Sequence, residues 1–176
     1  KVLQAQNKNF VTIGNTKKSA VNFEENIKTN VVLGGVENWI KNNSATDFSL
    51  YKVIVTVNEN LLGKIAKVLI NAGFKNILLE KPGGLDLVDI KSVNSLAIEK
   101  KVNIYIGYNR RFFASTLKVN ELIKSDGGVS SFNFEFTEWG HVIKDLIKNK
   151  GVLNEWFIQN SSHVIDLAFC IGGYPK

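Results

Sequence analysis

The sequence predicts an α/β protein with a parallel sheet, followed by a second region of different character. Short apolar runs rich in β-branched residues alternate with segments whose apolar residues recur at helical spacing. This order is typical of parallel strands joined by helical crossovers. Beyond residue 128 the apolar residues alternate strictly, as expected of an antiparallel sheet with one solvated face. We therefore expect an α/β domain over residues 1–110 and the start of an α+β domain over residues 111–176.

The first elements are predicted from local composition. Residues 9–14 are predicted to form a strand and residues 19–28 a helix, and a polar loop over 42–47 separates a short helix from the next strand. The β-branched run Lys52–Val57 predicts a buried strand. Apolar residues between Leu61 and Ala72 then recur at helical spacing until Gly73, which is expected to close that helix.

The remaining elements continue the alternation and then depart from it. Residues 74–79 and 102–108 are predicted strands, and residues 85–101 form the predicted helix between them. A helix over 112–125 connects to the second region and stops at Asp126-Gly127-Gly128. The alternating run Val129–Phe136 predicts the first strand of the second sheet.

The turn Glu80-Lys81-Pro82-Gly83-Gly84 places a lysine at the end of a predicted strand. Ligands in open α/β sheets bind outside the carboxyl ends of the strands. Pro82 restricts the preceding residue to extended geometry, and the two glycines permit a tight turn. A Glu-Lys-Pro sequence by itself favours a solvated pair that closes a strand. The surrounding α/β pattern favours a functional lysine.

Composition limits the classes of partner. The 176 residues are 44% hydrophobic and 22% charged, and the net charge is +6. Arg110 and Arg111 are the only arginines and the lysines are scattered, whereas nucleic-acid readers use clustered arginines, so no nucleic-acid partner is expected. No apolar run approaches the roughly 20 residues of a membrane span, and we expect a cytoplasmic protein. The single cysteine, Cys170, permits no internal disulfide, and no metal-ligand spacing occurs.

The order of several motifs resembles one enzyme family. These motifs are LEKPGG at 79–84, GYNRRFF at 107–113, the phenylalanine-rich run, residues 156–167 with His163 and Asp166, and Gly172-Gly173-Tyr174-Pro175. From about Phe10 onwards the chain resembles the glucose-fructose oxidoreductase, inositol dehydrogenase and MocA family of nicotinamide-dependent oxidoreductases. The resemblance implies a Rossmann domain followed by an α+β domain with a large open sheet. The active site would lie between them.

The resemblance implies that Lys81 and His163 are catalytic. Lysine can hold a substrate oxygen and assist proton transfer if its pKa is lowered, and imidazole titrates near physiological pH. Asp166 would orient the His163 ring or, equally well, have a capping or surface role. Many family members carry an aspartate where this chain has Gln159, and glutamine cannot exchange a proton. Two functions therefore stay open: a dehydrogenase, or a non-catalytic relative that binds dinucleotide or sugar as a sensor or scaffold.

The cofactor site is predicted in part. An acidic residue after the second Rossmann strand favours NAD, whereas the loop over 14–18 holds two lysines and no carboxylate, which favours NADP over NAD. Alternatively, Lys17 and Lys18 merely open an exposed helix. The predicted cofactor-binding residues are Asn15, Thr16, Lys17, Thr56, Val57, Asn58, Glu80 and Lys81. No G-x-G-x-x-G motif and no methionine occur, so we expect a fragment without the first βα unit and without most of the C-terminal sheet.

The substrate implied by the resemblance is a sugar or polyol whose hydroxyl-bearing carbon exchanges a hydride with NAD(P). An arginine of the pair at 110–111 would hold an anionic group, or the pair would be structural. Tryptophans nearby would form a wall for a sugar ring, or would belong to the core. The predicted substrate-binding residues are Asn109, Arg111, Trp156, Asn160 and His163. A homo-oligomer through the C-terminal sheet is also expected.

Overall fold

A computed structural model describes residues 1–174, which divide into two compact units at residues 48 and 49. Pro175, which closes the Gly-Gly-Tyr-Pro motif, lies outside the described residues. The predicted domains over 1–110 and 111–176 place their boundary elsewhere, and that boundary stays a prediction.

The first unit contains a small parallel sheet. Its elements are α1 (Val2–Ala5), β1 (Thr12–Gly14), α2 (Lys17–Ile27), β2 (Val31–Leu33) and α3 (Gly35–Asn42). Strands β1 and β2 are parallel, with Ile13 opposite Val32. Thr16 caps α2, because its Oγ1 accepts a hydrogen bond from the Ser19 amide at 3.3 Å. The predicted strand and helix are thus present, and α2 connects two parallel strands.

The second unit contains a three-stranded parallel sheet. It begins with β3 (Lys52–Val55), α4 (Leu62–Asn71), β4 (Asn76–Leu79), α5 (Leu87–Glu99) and β5 (Asn103–Ile106). The strand order is β3-β4-β5, so β4 is central. Gly73 ends α4 with a φ of 100°, and Asp86 caps α5 by accepting the Asp89 amide at 2.7 Å. The predicted alternation of strands and helices is confirmed here.

The core of this unit lies on the face of the sheet that α4 and α5 cover. Ile77 and Leu79 of β4 are fully buried there. Helix α4 packs against β4, and α5 packs against β5 and α4. The buried residues of these helices include Leu62, Ala66 and Leu69 of α4 and Val93 and Ala97 of α5. On the other face Ile54, Leu78 and Tyr105 lie opposite one another in register and are half-exposed.

The rest of the chain is helical or irregular. A 3₁₀ turn (Asn109–Phe112) follows β5, and then come α6 (Ala114–Ser125), α7 (Gly140–Ile143), a π-helical turn (Phe157–Ser161) and α8 (Ser162–Gly172). Gly127 and Gly128 follow α6 with positive φ, as expected of a helix stop.

The strand predicted over residues 129–136 does not form, because no described segment pairs with it. A strand needs a neighbour to satisfy its main-chain hydrogen bonds. Two phenylalanines of this segment, two positions apart, nevertheless lie on the same side of the main chain, as the alternation predicts. Phe132 and Phe134 stack with ring centroids 6.3 Å apart, and both contact the Phe169 ring of α8.

No helix within residues 1–174 is both long enough and apolar enough to cross a bilayer.

Substitution of the two leucines at the end of β4 tests which face of the sheet packs against the core. Leu79 is 0% exposed and Leu78 is 38% exposed. Leu79→Ala should lower the free energy of unfolding by about 2–5 kcal/mol, because it leaves a cavity. Leu78→Ala should cost well under half as much. Urea unfolding of the two variants measures the difference, and equal losses would contradict this assignment of faces.

Candidate functional site

Lys81 lies beyond the carboxyl end of the central strand. The Glu80 amide donates to the Val55 carbonyl at 2.9 Å, which extends the pairing of β4 with β3. The Gly83 amide donates to the Glu80 carbonyl at 3.0 Å, and Gly83 has a φ of 92° that favours glycine. The Lys81–Pro82 peptide bond is cis. The turn after β4 therefore fixes the main chain of Lys81 at the edge where ligands bind in parallel sheets.

The ammonium group of Lys81 is held by the main chain. Its Nζ donates a hydrogen bond to the carbonyl of Gln159, in the π-helical turn. Burial lowers the pKa of Lys81, although the carboxylates of Glu80 and Glu59 oppose that shift. The positive charges of Lys148 and Arg110 lower this pKa further. The neutral amine, which can accept a proton, therefore becomes available at a lower pH than for an exposed lysine.

His163, the second residue of α8, belongs to the same site. Burial lowers the pKa of His163, and the positive charges of Lys81 and Arg110 add to the effect. The Tyr108 ring contacts the imidazole edge to face, with centroids 5.9 Å apart. The His163 Nδ1 atom is buried and has no hydrogen-bond partner among the described residues. His163 is therefore oriented by packing, and its neutral form is favoured.

Arg111 and Asp166 form a two-pronged ion pair. Asp166 accepts hydrogen bonds from Arg111 Nε at 2.7 Å and from Arg111 Nη2, which also donates to the Tyr174 hydroxyl at 3.0 Å. These bonds raise the pKa of Arg111. Asp166 therefore pairs with Arg111 and does not bond the imidazole of His163. At Arg111 the structural alternative fits the geometry better than a free anion-binding group.

Arg110 differs from its neighbour. Its guanidinium makes no ion pair or side-chain hydrogen bond within residues 1–174, and its charge lowers the pKa of both Lys81 and His163. Asn109, which precedes it in the same 3₁₀ turn, is exposed. Both residues follow the carboxyl end of β5.

Trp156 and Asn160 share a partner that the sequence did not indicate. The Glu138 carboxylate accepts hydrogen bonds from Trp156 Nε1 at 2.6 Å, Asn160 Nδ2 at 2.7 Å and Ser161 Oγ at 3.1 Å. Glu138, Trp156 and Asn160, together with Trp139, line a cleft of about 310 Å³. No local pattern singles out Glu138, because its three donors lie 18 to 23 positions away in the chain. Four of the five predicted substrate-binding residues thus fall into two groups, Trp156 and Asn160 around Glu138 and Arg111 and His163 around Asp166.

Gln159 is buried and contacts the lysine turn. Its side chain is 3% exposed, and its Nε2 donates to the carbonyls of Gly84, at 2.9 Å, and of Leu85. Sequence reasoning treated Gln159 only as a missing proton carrier. Its contacts show that it also joins the π-helical turn to the turn after β4.

The predicted cofactor-binding residues follow the carboxyl ends of strands in both units. In the second unit the exposed residues Thr56, Val57 and Asn58 follow β3, and Glu80 and Lys81 follow the adjacent β4. These two turns lie at the same edge of the sheet, because β3 and β4 are parallel. Within residues 1–174 that edge offers an accessible main chain and a lysine, which fits the nicotinamide and ribose of a dinucleotide.

In the first unit the turn after β1 approaches the start of α3. A side chain at Gly35, the first residue of α3, would meet Asn15 Oδ1 at 2.3 Å, and Gly35 has a φ of 78°, so this position requires glycine. Thr16 is the cap of α2, and Lys17 and Lys18 are the exposed first residues of that helix. The turn therefore presents two exposed lysines and no carboxylate.

The ion pair at Arg111 provides a test of the packing behind the site. Asp166→Asn should lower the free energy of unfolding by about 1–3 kcal/mol, because hydrogen bonds to a charged group are lost at a largely buried carboxylate. Glu121→Gln breaks the exposed Lys118–Glu121 pair of α6 and should cost no more than about 0.5 kcal/mol. Urea unfolding compares the two. Equal effects would contradict the proposed packing role of the Asp166 pair.

The electrostatic link between Lys81 and His163 can be measured directly. We expect the pKa of His163 to lie below 6.5 and to rise towards that value in Lys81→Met, because a nearby positive charge is removed. Burial, the larger cause, should keep the pKa below 6.5 even then. Imidazole titration by NMR measures both values, and Lys91→Met, an exposed position on α5, is the control. An unchanged pKa in Lys81→Met would contradict the link.

Comparison with known proteins finds similarity in structure only. No family model matches the chain. No curated protein matches it either. Among solved structures, the WlbA dehydrogenase from Bordetella pertussis in complex with NADH and UDP-GlcNAcA has a TM-score of 0.70 and 15% identity, covering 98% of this chain and 50% of that chain.

Two further structures are similar. The scyllo-inositol dehydrogenase from Lactobacillus casei with bound NAD(H) and scyllo-inositol has a TM-score of 0.67 and 15% identity, covering 94% of this chain and 48% of that chain. The yvaA protein from Bacillus subtilis has a TM-score of 0.68 and 20% identity, covering 99% of this chain and 49% of that chain. The chain spans about half the length of these structures. It therefore has the Rossmann-type fold of these dehydrogenase structures, and the resemblance predicted from its motifs is confirmed for the fold.

Proposed function

We propose that the protein is a member of the glucose-fructose oxidoreductase, inositol dehydrogenase and MocA family. Its activity would be hydride transfer between NAD(P) and a hydroxyl-bearing carbon of a sugar or polyol. The observation that carries this proposal is Lys81, held at the carboxyl end of the central strand with a lowered pKa beside His163. The fold shared with dehydrogenase structures that contain NAD(H) supports it.

The cofactor would be bound at the carboxyl edges of the sheets. In the second unit, Thr56, Val57, Asn58 and Glu80 would contact the nicotinamide and ribose. In the first unit, taken by itself, the turn over 14–18 carries Asn15, Thr16 and Lys17, which stay predicted contacts of an adenosine ribose. Two exposed lysines and no carboxylate in that turn favour NADP over NAD. A bound nicotinamide would supply the hydride acceptor.

Lys81 and His163 would handle the proton of the substrate hydroxyl. A neutral Lys81 amine can keep one N–H bonded to the Gln159 carbonyl while its lone pair accepts the hydroxyl proton. That proton leaves as the carbon-bound hydrogen is transferred as hydride, so the substrate loses two electrons and becomes a carbonyl. His163, whose neutral form is favoured, can accept a hydrogen bond from the same hydroxyl or relay its proton.

The sugar-like substrate is supported by the cleft at Glu138. Its carboxylate is held by three neutral donors and lies beside Trp139, which is 70% exposed. An exposed indole and an oriented carboxylate suit the apolar face and the hydroxyls of a sugar ring. The cytoplasmic location and the homo-oligomer stay predictions.

Substitution of the lysine tests the proposed reaction. In the full-length protein, Lys81→Ala should reduce turnover of a polyol or sugar by about 10²–10⁴-fold, the usual contribution of an acid–base group. Affinity for NADPH should change by no more than a few fold. Steady-state kinetics and a fluorescence titration with NADPH and NADH measure the two effects, with Lys91→Ala as the control.

The pH dependence gives a second readout of the same experiment. Oxidation needs the deprotonated amine, so the rate of the unsubstituted protein should rise with pH and level off below 10.5, the ordinary pKa of lysine. Unchanged turnover in Lys81→Ala would show that the role of the lysine is wrong. Failure to bind either dinucleotide would contradict the dehydrogenase proposal. Binding without turnover across a screen of sugars would favour the non-catalytic sensor.

A further inference from the structure

The side chain of Gln159 has an orientation that its neighbours determine. Its amide nitrogen faces two main-chain carbonyls, those of Gly84 and Leu85. The opposite orientation would point an oxygen at both carbonyls, which is unfavourable because all three atoms are acceptors. The remaining atom, Oε1, is buried without a partner within residues 1–174. The side chain is therefore used entirely as a donor to the turn.

The main chain of the same residue holds the catalytic lysine. The Gln159 carbonyl accepts a hydrogen bond from the Lys81 ammonium. The main-chain amide of Gln159 donates a hydrogen bond to the Glu155 carbonyl at 2.9 Å. The residue lies in the π-helical turn, where the wider helix departs from the regular hydrogen-bond ladder. One residue thus contacts the 81–85 turn twice, through its side chain at 84–85 and through its main chain at Lys81.

We propose that Gln159 is the positioning residue of this site. Its side-chain amide fixes the 81–85 turn against the π-helical turn, and this brings the Gln159 carbonyl to the ammonium of Lys81. The consequence for catalysis rests on the proposed function of Lys81. The structural part of the proposal, that an amide donor fixes the turn, does not rest on that function.

A carboxylate could not replace this amide. An ionised carboxylate only accepts hydrogen bonds, so it would leave the carbonyls of Gly84 and Leu85 unpaired and repel them. It could donate only after protonation, and burial raises the pKa of a carboxyl group. A glutamine at this position is therefore suited to the turn, and proton exchange is left to Lys81 and His163.

Isosteric variants separate the donor from the shape of the side chain. Gln159→Met keeps the length and removes the donor, Gln159→Glu replaces the donor by an ionisable group, and Gln6→Glu makes the same change of charge at an exposed position. Hydrogen exchange by mass spectrometry follows the amides of Gly83 and Leu85. Pulse acylation measures the reactivity of Lys81, with Lys91 as the internal reference.

At neutral pH we expect exchange of the turn amides to rise about tenfold in both Gln159 variants, as for loss of a typical hydrogen bond. Acylation of Lys81 should rise in Gln159→Met, whereas the added carboxylate of Gln159→Glu should oppose that rise by favouring the protonated lysine. Amides of Ile77 and Leu79 in β4 should keep their protection, and Gln6→Glu should match the unsubstituted protein. Acid should partly restore turn protection in Gln159→Glu, because a protonated carboxyl can donate to one carbonyl. It should not do so in Gln159→Met.

The unsubstituted protein provides a measurement that does not depend on how the variants fold. The side-chain NH₂ protons of Gln159 should exchange with solvent at least about tenfold more slowly than those of exposed Gln6. Equal exchange rates would overturn the proposal, as would folded Gln159 variants with an unchanged turn and unchanged Lys81 reactivity. None of these readouts needs turnover, so a failed dehydrogenase assay leaves this inference intact, and its own failure leaves the dehydrogenase proposal intact.

Discussion

The site depends on hydrogen bonds between two turns that lie far apart in the sequence. Lys81 and Gln159 are separated by 78 positions, and the bonds join the end of β4 to the segment that leads into α8. The sheet brings the main chain of Lys81 to the carboxyl end of β4. It does not bring an imidazole to that edge. His163 follows Gln159 by one helical turn, so the bonds that fix the lysine turn also set the start of the helix that carries the histidine.

Charge at the site is organised by which arginine is paired. The carboxylate of Asp166 pairs with the guanidinium of Arg111, so the positive charge of Arg111 is largely neutralised. Arg110 has no such partner in the described part of the chain, and its charge acts on both Lys81 and His163. Two adjacent residues of the same type thus have different surroundings: Arg111 pairs with α8, and Arg110 adds an unpaired positive charge. Burial is the largest cause of the lowered pKa at both Lys81 and His163, and the charge of Arg110 adds to it because electrostatic interactions are stronger where water is excluded.

Local patterns predicted the parts of this arrangement that depend on local geometry. The strand before Lys81, the helix closed at Gly73 and the turn at 80–84 follow from spacing and from the conformational limits of proline and glycine. The order of motifs also predicted the fold. Three-residue β2 gave no signal, because so short a run has no measurable periodicity. The alternation at 129–136 predicted the shared face of Phe132 and Phe134 but not the absence of a paired strand, since pairing depends on a neighbour elsewhere in the chain.

The polar contacts of the site were beyond local patterns for the same reason. The ion pair between Arg111 and Asp166 joins segments that no spacing rule connects. The same holds for the three hydrogen bonds that Glu138 accepts. Gln159 is the clearest example. A glutamine in place of the aspartate suggested only the loss of a proton carrier. The role of its amide becomes visible from the two carbonyls that accept its hydrogen bonds, those of Gly84 and Leu85.

The position of Gln159 has a consequence for how protons move at this site. With its amide bonded to the turn and its carbonyl bonded to Lys81, Gln159 leaves two groups that can exchange a proton, Lys81 and His163. Burial is the larger cause of the lowered pKa of His163, and the positive charge of Lys81 adds to it. Loss of the proton from Lys81 would remove that charge and make His163 more basic. Under the proposed function, the fixed turn would hold the Lys81 amine in place while it accepts the hydroxyl proton, and His163 would become a better acceptor once the charge of Lys81 is gone.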